Sequence, residues 1–378
     1  MNIRDLLEEM VKRDASDVYV TADSPPMFRV EGIVTPWGEE KLSPAQTIEL
    51  ANQLMMEKQK IRFSEEMEMD LALYYHELGR FRVNIFRQRG CIGFVIRQIK
   101  ISIKTLDDLG LPPVLKQISM EKRGMVLVVG GTGTGKSTTL AAMVDYRNSN
   151  STGHIISIED PIEFVHLHKM SIVTQREVGI DTFSFHEALK HTLRQAPDVI
   201  LIGEIRDMET MESAIAFSET GHLCLATLHA NNANQAMERI MNFFKEERHP
   251  QILLQLSLNM RAVISQRLIA TPYGKRIAAV EILIGTPRVK DLIYRNEVGL
   301  LKDTMALCNQ DGMQTFDQHI FDLYKAGKIN YENAIAYADS ANDVRLRIKI
   351  DKASAGKKGE VSAKEQEAFR LEPDVKIS

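Results

Sequence analysis

One stretch of this chain constrains its fold more than any other: an apolar run that passes directly into a glycine-rich loop. The apolar run is Met125–Val129, and the loop at 130–137 has the spacing G-x-x-x-x-G-K-[ST]. An amphipathic segment over 138–146 follows without a break and predicts a helix. A strand, a phosphate-binding loop and a helix in this order predict a nucleotide site. A chance glycine-rich turn with a surface lysine would need neither flanking element.

Each residue type in the loop suits a phosphate ligand. Glycines let backbone N–H groups turn inward around a phosphate, and the helix N-terminus adds unpaired donors and partial positive charge. Lys136 is expected to reach the β- and γ-phosphates, and the Ser137 hydroxyl is expected to ligate Mg²⁺. We therefore predict ATP and Mg²⁺ as cofactors. The residues predicted to bind them are Gly130, Gly131, Thr132, Gly133, Thr134, Gly135, Lys136, Ser137 and Thr138.

The composition argues against several other classes of protein. The 378 residues allow two or three domains, and a net charge of −4 gives no global basicity for nucleic acid. Cys91, Cys224 and Cys308 lie far apart, which argues against a disulfide framework or a four-cysteine zinc site and suits a reducing cytoplasm. No apolar run approaches the length of a membrane span and no signal peptide is recognisable, so we expect membrane association only through partners.

The pattern of apolar residues divides the chain into two domains and a tail. Residues 1–105 combine an opening helix with period-two strands, which predicts an α+β domain with an antiparallel sheet. A linker is expected at 106–115. Over 116–350 strands alternate with helices, which predicts an α/β domain with a mainly parallel sheet and a more helical C-terminal stretch from about 250 to 345. The charged segment 351–378 has few large apolar residues and is predicted to be mostly disordered.

Acidic residues and a histidine follow three of the predicted strands. Glu159, Asp160 and Glu163 come after one strand, Glu204 after the next, and His229 after a third. Functional side chains of a parallel sheet cluster past the carboxyl ends of its strands, so we expect these groups near the P-loop. Glu204 is at the position of a Walker B acid that holds Mg²⁺ or its water, although a single acid after a strand can also be a turn or helix cap.

The two histidines around the third strand have different predicted roles. His222 lies at the start of that strand and His229 after its end, which separates them by about 20 Å at about 3.3 Å per residue. The two histidines therefore cannot contact the same γ-phosphate at once. We predict His229 as the γ-phosphate sensor and a structural or interface role for His222.

Arginines crowd the last strands of the first domain, and most of them are expected on a solvated polar face. A P-loop site often needs a cation from a neighbouring subunit to stabilise the charge of phosphoryl transfer. We predict Arg82 and Arg97 as the best candidates, with Arg194 and Arg206 of the second domain as competitors. The crowded positions are Arg80, Arg82, Arg87, Arg89 and Arg97.

Four motifs in order resemble the Walker A, Asp box, Walker B and His box of the type II/IV secretion ATPases. They are Gly130–Thr139, Ile158–His166, Ile202–Asp207 and Thr220–His229. Gln175–Gly179 and Ser265–Leu268 also fit, and the resemblance covers about residues 1–345. Within that family the chain is similar to the PilT/PilU group of type IV pilus twitching-motility ATPases.

The resemblance implies an N-terminal PAS-like domain and a C-terminal RecA-like P-loop ATPase domain. It further implies a cytoplasmic homohexameric ring, peripheral to the inner membrane through a pilus platform protein. The Mg²⁺-dependent ATP hydrolysis of this ring would power or assist pilus retraction and twitching motility. By the same resemblance the Glu163 carboxylate polarises the attacking water and Glu204 supports Mg²⁺.

Two departures favour the accessory PilU branch of that group. Retraction motors of the PilT type usually carry Ala-Ile-Arg-Asn-Leu-Ile-Arg-Glu, and the corresponding stretch here, Arg288–Asn296, is clearly altered. The chain also continues past residue 350. An alternative function therefore stays open: a nucleotide-gated structural subunit that hydrolyses little ATP itself and acts with a paralogous retraction motor. A DNA-directed motor of the RecA type would need a basic stripe, which the sequence does not show.

Overall fold

The computed structural model describes residues 1–99 and 102–353, so the predicted tail beyond residue 353 lies outside the described residues. The chain forms two compact units. The first comprises Met1–Thr105 and Leu140–Glu204, and the second comprises Leu106–Thr139 and the chain from Ile205 onward. The domain boundaries expected from the sequence stay a prediction. Among the described residues, no helix is both long and apolar enough to cross a membrane.

The strands are numbered in chain order. They are β1 (Asp17–Val20), β2 (Met27–Val30), β3 (Ile33–Pro36), β4 (Glu68–Tyr75), β5 (Gly79–Gln88), β6 (Cys91–Ile99), β7 (Gly124–Val129), β8 (Gly153–Glu159), β9 (Ser171–Glu177), β10 (Val199–Ile202), β11 (Leu223–Leu228), β12 (Met260–Ala270) and β13 (Arg276–Ile284).

The helices are numbered in the same way, and residues 341–353 are helical as well. They are α1 (Ile3–Lys12), α2 (Pro44–Leu54), α3 (Glu57–Glu66), α4 (Val114–Ser119), α5 (Lys136–Asn150), α6 (Phe185–Thr192), α7 (Met208–Glu219), α8 (Ala233–Met241), α9 (His249–Asn259), α10 (Pro287–Tyr294), α11 (Leu301–Leu307), α12 (Phe316–Lys325) and α13 (Tyr331–Ala336).

Six strands of the first unit form an antiparallel sheet in the order β3-β2-β1-β6-β5-β4. Strand β5 alternates strictly, so Phe81, Val83 and Ile85 are fully buried while the residues between them are partly exposed. The buried face packs with Leu6 and Leu7 of α1 in one core. The predicted antiparallel sheet with one polar face is confirmed. The short strand β3 and the helix α3 were not predicted.

The remaining strands are mainly parallel, as expected from alternating strands and helices. In the first unit they lie in the order β10-β8-β9, with parallel pairing between neighbours. In the second unit the order is β13-β12-β7-β11, where β12 and β11 are parallel to β7 and β13 is antiparallel to β12. The predicted fold class is confirmed: an antiparallel sheet domain followed by a mixed, mainly parallel α/β sheet.

The stretch from about 250 to 345, predicted to be more helical, also contains two strands that were not predicted, β12 and β13. These are long strands, and polar residues interrupt the apolar runs from which strands are recognised in a sequence. Ser265 and Glu281 oppose each other across the two strands, and the Ser265 hydroxyl donates to the Glu281 carboxylate at 2.9 Å. Because each polar group finds its partner on the neighbouring strand, the interrupted pattern is compatible with a buried sheet.

A second core packs helix α12 against the end of this sheet, through Phe316, Ile320 and Ile269. His319 lies on the same helix and is buried. Its Nδ1 accepts a hydrogen bond from the Val280 N–H at 2.9 Å, which requires the neutral ring. Burial, together with repulsion from Lys328, lowers the pKa of His319 from 6.5 to about 4.

The fold should therefore lose stability in mild acid through His319. The unfolded imidazole gains a proton as the pH falls through 6.5, whereas the folded one does so only near pH 4. This difference removes up to about 3 kcal/mol from the free energy of unfolding between those two pH values. His319→Asn keeps an acceptor for Val280 N–H but does not titrate there. Urea denaturation at pH 7 and 4.5 should show a smaller acid loss in the variant, and equal losses would contradict the argument.

Candidate functional site

The predicted strand, loop and helix of the P-loop are all present in the second unit or at its boundary. Strand β7 is buried along its whole length and ends at Val129, and α5 begins at Lys136. The Lys136 ammonium donates to the carbonyl oxygens of Gly130 and Gly131 at 3.0 and 2.9 Å. The Thr134 hydroxyl donates to the Gly131 oxygen at 2.9 Å. The loop is thus closed on itself, with its lysine held inside the curve where a phosphate is expected.

Two loop positions accept only glycine in this conformation. Gly135 has φ +89°, and a Cβ there would lie 2.9 Å from the Gln266 amide nitrogen. At Gly130, with φ +157°, a Cβ would lie 2.7 Å from the Gln266 carbonyl oxygen and 2.5 Å from Thr134 Oγ1. Real Cβ atoms do not approach this closely, so the two glycines let the loop lie directly on β12.

Gln266 of β12 therefore supports the loop from beneath, a role that the sequence analysis did not assign. Its side chain is buried, and its Oε1 accepts a hydrogen bond from the Thr139 hydroxyl at 2.7 Å. Thr139 lies in the first turn of α5. The Gln266 side chain thus fixes the start of the P-loop helix. The Gln266 carbonyl oxygen and amide nitrogen pack against the loop glycines. The resemblance of Ser265–Leu268 to a family motif was the only signal in the sequence.

His229 lies beside the P-loop, as predicted. Leu228 of β11 pairs with Val129 of β7, so the residue after each strand emerges at the same end of the sheet. His229, Gly130 and Gly131 line a cleft of about 350 Å³. His222 is at the opposite end of β11, where its Nδ1 lies 3.0 Å from the Thr220 hydroxyl. The structure thus places the two histidines as the sequence predicts, and the sensor role of His229 stays a prediction.

A buried carboxylate anchors the segment that follows His229. Glu281 is 1% exposed, and its Oε1 accepts from the backbone N–H of Ala233, the first residue of α8, at 2.8 Å. Burial raises the pKa of Glu281, and the hydrogen bonds from Ala233 and Ser265 oppose this shift. At the same helix end the Asn232 side chain accepts from the Gln235 N–H at 2.9 Å. Glu281 was not predicted from the sequence, because it lies 48 residues from Ala233 in the chain.

In the first unit, the predicted acids come from two adjacent strand ends. Ile202 of β10 pairs with Ile158 of β8, and the Gly203 N–H donates to the Ile158 oxygen at 2.8 Å. Glu159, the last residue of β8, and Glu204, two residues after the end of β10, are therefore at the carboxyl ends of neighbouring parallel strands. The Glu163 side chain is exposed and that of Glu204 is partly buried. Their roles toward water and Mg²⁺ stay predictions.

Glu159 is a structural acid rather than a ligand-facing one. The Ser157 hydroxyl donates to its Oε1 at 2.7 Å, and the Gln175 amide donates to the same oxygen at 3.1 Å. Burial raises the pKa of Glu159, and these two hydrogen bonds act in the opposite direction. Its carboxylate therefore serves to hold the end of β8.

The two candidate arginines of the N-terminal sheet are each near a carboxylate. Arg97 Nε lies 2.8 Å from Asp17 Oδ1, and Arg82 lies 3.8 Å from Asp70. Arg82 and Arg97 are also directly opposite each other on β5 and β6. Their predicted action on a neighbouring subunit stays a prediction.

Most of these arginines were expected on a solvated polar face, but Arg80 is not on one. Its guanidinium donates to the Glu177 carboxylate at 2.8 Å, and the two side chains are 19% and 4% exposed. The partner is 97 residues away in the chain, so no local pattern predicts this pair. Arg80 thus joins the N-terminal sheet to the end of β9.

Removal of Arg80 should be costly because it leaves a buried carboxylate without its cation. We expect Arg80→Met to lower the free energy of unfolding by about 3–5 kcal/mol. Arg82→Met removes only a long, exposed contact and should cost less than about 1 kcal/mol. The double variant Arg80→Met/Glu177→Met should recover most of the loss, since neither charge is then buried. Urea unfolding of the full chain measures all three, and equal losses for the two single variants would refute the pairing.

Comparison with known proteins identifies the family to which the chain belongs. The family described as "Type II/IV secretion system protein" matches residues 1–318. The type IV pilus ATPase PilU of Pseudomonas aeruginosa is 55% identical over 355 residues, which are 94% of this chain and 93% of that protein. The type IV pilus retraction ATPase PilT of the same organism is 43% identical over 334 residues, 88% of this chain and 97% of that protein.

A solved structure supports the same assignment. The crystal structure of the pilus retraction motor PilT with bound ADP matches with a TM-score of 0.84 and 39% identity, covering 90% of this chain and 98% of that one. Similarity in sequence to PilU exceeds that to PilT. The chain therefore belongs to the ATP-hydrolysing type II/IV secretion family, within its PilT/PilU group of type IV pilus ATPases.

Proposed function

We propose that this chain is a Mg²⁺-dependent motor ATPase that powers or assists type IV pilus retraction and twitching motility. The closed P-loop on Gln266, with Lys136 inside its curve, is the observation that carries the proposal. Similarity to PilU and PilT, whose names include the pilus and its retraction, supports the biological role.

The proposed chemistry is positioning and charge neutralisation, with little covalent work by the protein. On ATP binding, Lys136 exchanges the two loop carbonyls for the β- and γ-phosphate oxygens. Glu163 accepts a hydrogen bond from the attacking water and orients it. His229 contacts the γ-phosphate and thereby reports whether it is still attached. A cation such as Arg82 or Arg97 of a neighbouring subunit would offset the charge that develops on the transferred group.

The residues present suit Mg²⁺ bound partly by the nucleotide. Among the described residues no cluster of three or more His, Cys, Asp or Glu could hold a metal alone. Mg²⁺ usually takes one or two protein oxygens, several waters and phosphate oxygens. The Ser137 hydroxyl and the Glu204 carboxylate are the oxygens proposed here, with Glu204 acting directly or through a water. The ion would neutralise charge on the phosphates.

The proposed assembly is a homohexameric cytoplasmic ring, peripheral to the inner membrane through a pilus platform protein. The names of the similar pilus ATPases support the link to the pilus, and the resemblance of the sequence motifs to the family is the ground for the ring and the platform protein. No nucleic acid is proposed as a partner, because the net charge of −4 supplies no broad cationic surface.

A second candidate function is an accessory ring subunit that hydrolyses little ATP alone and works with a paralogous motor. The altered segment Arg288–Asn296 favours it, together with the greater similarity to PilU. Most of that segment is in α10, where Asp291 binds both Arg288 and Arg295, so the helix itself is well made. Tyr294 is exposed and follows Leu292–Ile293, where the PilT-type motif has an arginine, so this surface carries an uncharged aromatic side chain in place of a cation.

Steady-state ATP hydrolysis by the purified full chain separates the two functions. The assay is run with Mg²⁺-ATP at protein concentrations where rings form, first alone and then with a paralogous retraction ATPase carrying an inactivated P-loop. An independent motor hydrolyses ATP at the same rate alone and in the mixture. An accessory subunit is nearly silent alone and gains activity in the mixed ring.

A further inference from the structure

The segment that carries Glu163 is fixed from the side by the neighbouring strand. We name residues 160–166, between β8 and β9 in the chain, the Asp-box strap. Glu163 lies at its centre. Strand β9 runs parallel to β8, and its residues 175 and 177 are two apart and therefore on the same face. Both side chains contact the strap.

Gln175 holds the second half of the strap with both ends of its amide. Its Nε2 donates to the Phe164 carbonyl oxygen at 2.9 Å, and its Oε1 accepts from the His166 N–H at 2.8 Å. The same Nε2 donates to Glu159 at 3.1 Å, which ties the strap to the end of β8. One side chain thus supplies the donor and the acceptor that an adjacent strand would otherwise supply from its backbone.

Glu177 holds the first half of the strap. Its Oε2 lies 3.4 Å from the Ile162 N–H nitrogen and 2.8 Å from Arg80 Nη2. The carboxylate is almost fully buried, and its own backbone N–H donates to Asp181 Oδ2 at 2.9 Å. Arg80 supplies the positive charge that makes a buried carboxylate tolerable at this point.

Glu163 therefore lies between two residues whose backbone is held by hydrogen bonds from β9. Its neighbours Ile162 and Phe164 are bound by Glu177 and Gln175, whereas its own side chain is exposed. We infer that Gln175 and Glu177 are positioning residues that fix the Glu163 carboxylate for catalysis. This inference rests on the proposed role of Glu163 in hydrolysis. It gives a physical role to the segment Gln175–Gly179, which was noted in the sequence only for its resemblance to the family.

The expected kinetic signature is a loss of kcat without a loss of nucleotide affinity. Displacement of a catalytic group by about 1 Å can cost on the order of 10²-fold in rate. Nucleotide affinity is expected to depend on the P-loop, whose residues these variants leave intact. A role confined to fold stability would instead lower the melting temperature and reduce binding and turnover together.

Gln175→Met tests the inference, because methionine is close in length but neither donates to Phe164 nor accepts from His166. Single-turnover hydrolysis and the Kd of a fluorescent ATP analogue are measured on the full chain. Turnover should fall about 10- to 100-fold, and the Kd should stay within about twofold. Ile172→Thr is the matched control, an exposed position on the same strand, and should behave like the wild type.

The Glu163→Gln background shows whether the effect passes through Glu163. In that background, Gln175→Met should reduce turnover no further, because the group that it positions is already inactive. If Gln175→Met proves poorly folded, Gln175→Asn keeps an uncharged amide beside Glu159 but is too short to reach both Phe164 and His166, and it should show the same selective loss of kcat.

Three results would overturn the inference. These are wild-type turnover in both Gln175 variants, a parallel loss of binding and turnover, or a full additional loss in the Glu163→Gln background. Failure of the proposed function is recognised separately, because Glu163→Gln would then itself turn over ATP at the wild-type rate.

Discussion

Lys136→Ala should abolish ATP hydrolysis, with kcat reduced by about 10³-fold or more. Loss of one neutral hydrogen-bond donor to a developing anion costs on the order of 10²–10³-fold, and Lys136 carries a full positive charge as well. The Kd for ATP should also rise, since the lysine contacts phosphates in the ground state. A coupled phosphate-release assay and a fluorescent nucleotide titration measure the two effects.

The control for Lys136→Ala is Lys275→Ala, an exposed lysine in the turn between β12 and β13. It removes the same charge from the same unit at a position outside the P-loop. Turnover of this variant should match that of the wild type. Hydrolysis at the wild-type rate by Lys136→Ala would show that the nucleotide is bound and turned over elsewhere.

Glu163→Gln should separate binding from chemistry. The amide has the shape of the carboxylate but is a much weaker base, so the attacking water is no longer polarised, and turnover should fall by about 10²–10⁴-fold. The Kd for ATP should remain near the wild-type value, because the P-loop is intact. This combination distinguishes a loss of transition-state stabilisation from a loss of ground-state binding.

Glu187→Gln is the matched control for Glu163→Gln, an exposed carboxylate in the first turn of α6 in the same unit. It should hydrolyse ATP normally. Comparable activity losses in the two variants would indicate a general effect of charge, and full activity in Glu163→Gln would remove this residue from the mechanism.

Local patterns in the sequence were sufficient to predict the P-loop and the opposite positions of His222 and His229 along one strand. The spacing at 130–137 specifies a strand, a loop and a helix within one short stretch, and the structure has all three. The separation of His222 from His229 followed from strand length alone. These features depend on neighbours in the chain, which a sequence displays directly.

Supporting contacts between distant residues could not be predicted in this way. Gln266 and Thr139 are 127 residues apart, and Glu177 and Arg80 are 97 apart. In each pair a buried polar group is stabilised by a partner from another element, and nothing in the local pattern announces that partner. β12 and β13 were not predicted for the same reason. Their buried Ser265 and Glu281 are unfavourable in a strand unless they are hydrogen-bonded to each other, and the sequence does not display that pairing.

The supporting contacts also suggest a division of labour. Gln266 and the loop glycines shape the phosphate cradle, so changes there should act first on nucleotide affinity. Gln175 and Glu177 fix the strap, so changes there should act on the chemical step. Each set lies within one compact unit, and each can be tested without disturbing the other.

The central claim is that one ATP is bound by the P-loop and hydrolysed with Glu163, and a crystal structure of the full chain with Mg²⁺ and a non-hydrolysable ATP analogue tests it most directly. The account predicts Lys136 on the β- and γ-phosphates, Ser137 and Glu204 at the ion, and the Glu163 carboxylate within hydrogen-bond distance of a water in line with the γ-phosphorus. An analogue bound away from residues 130–137, or a Glu163 side chain with no access to that water, would contradict it.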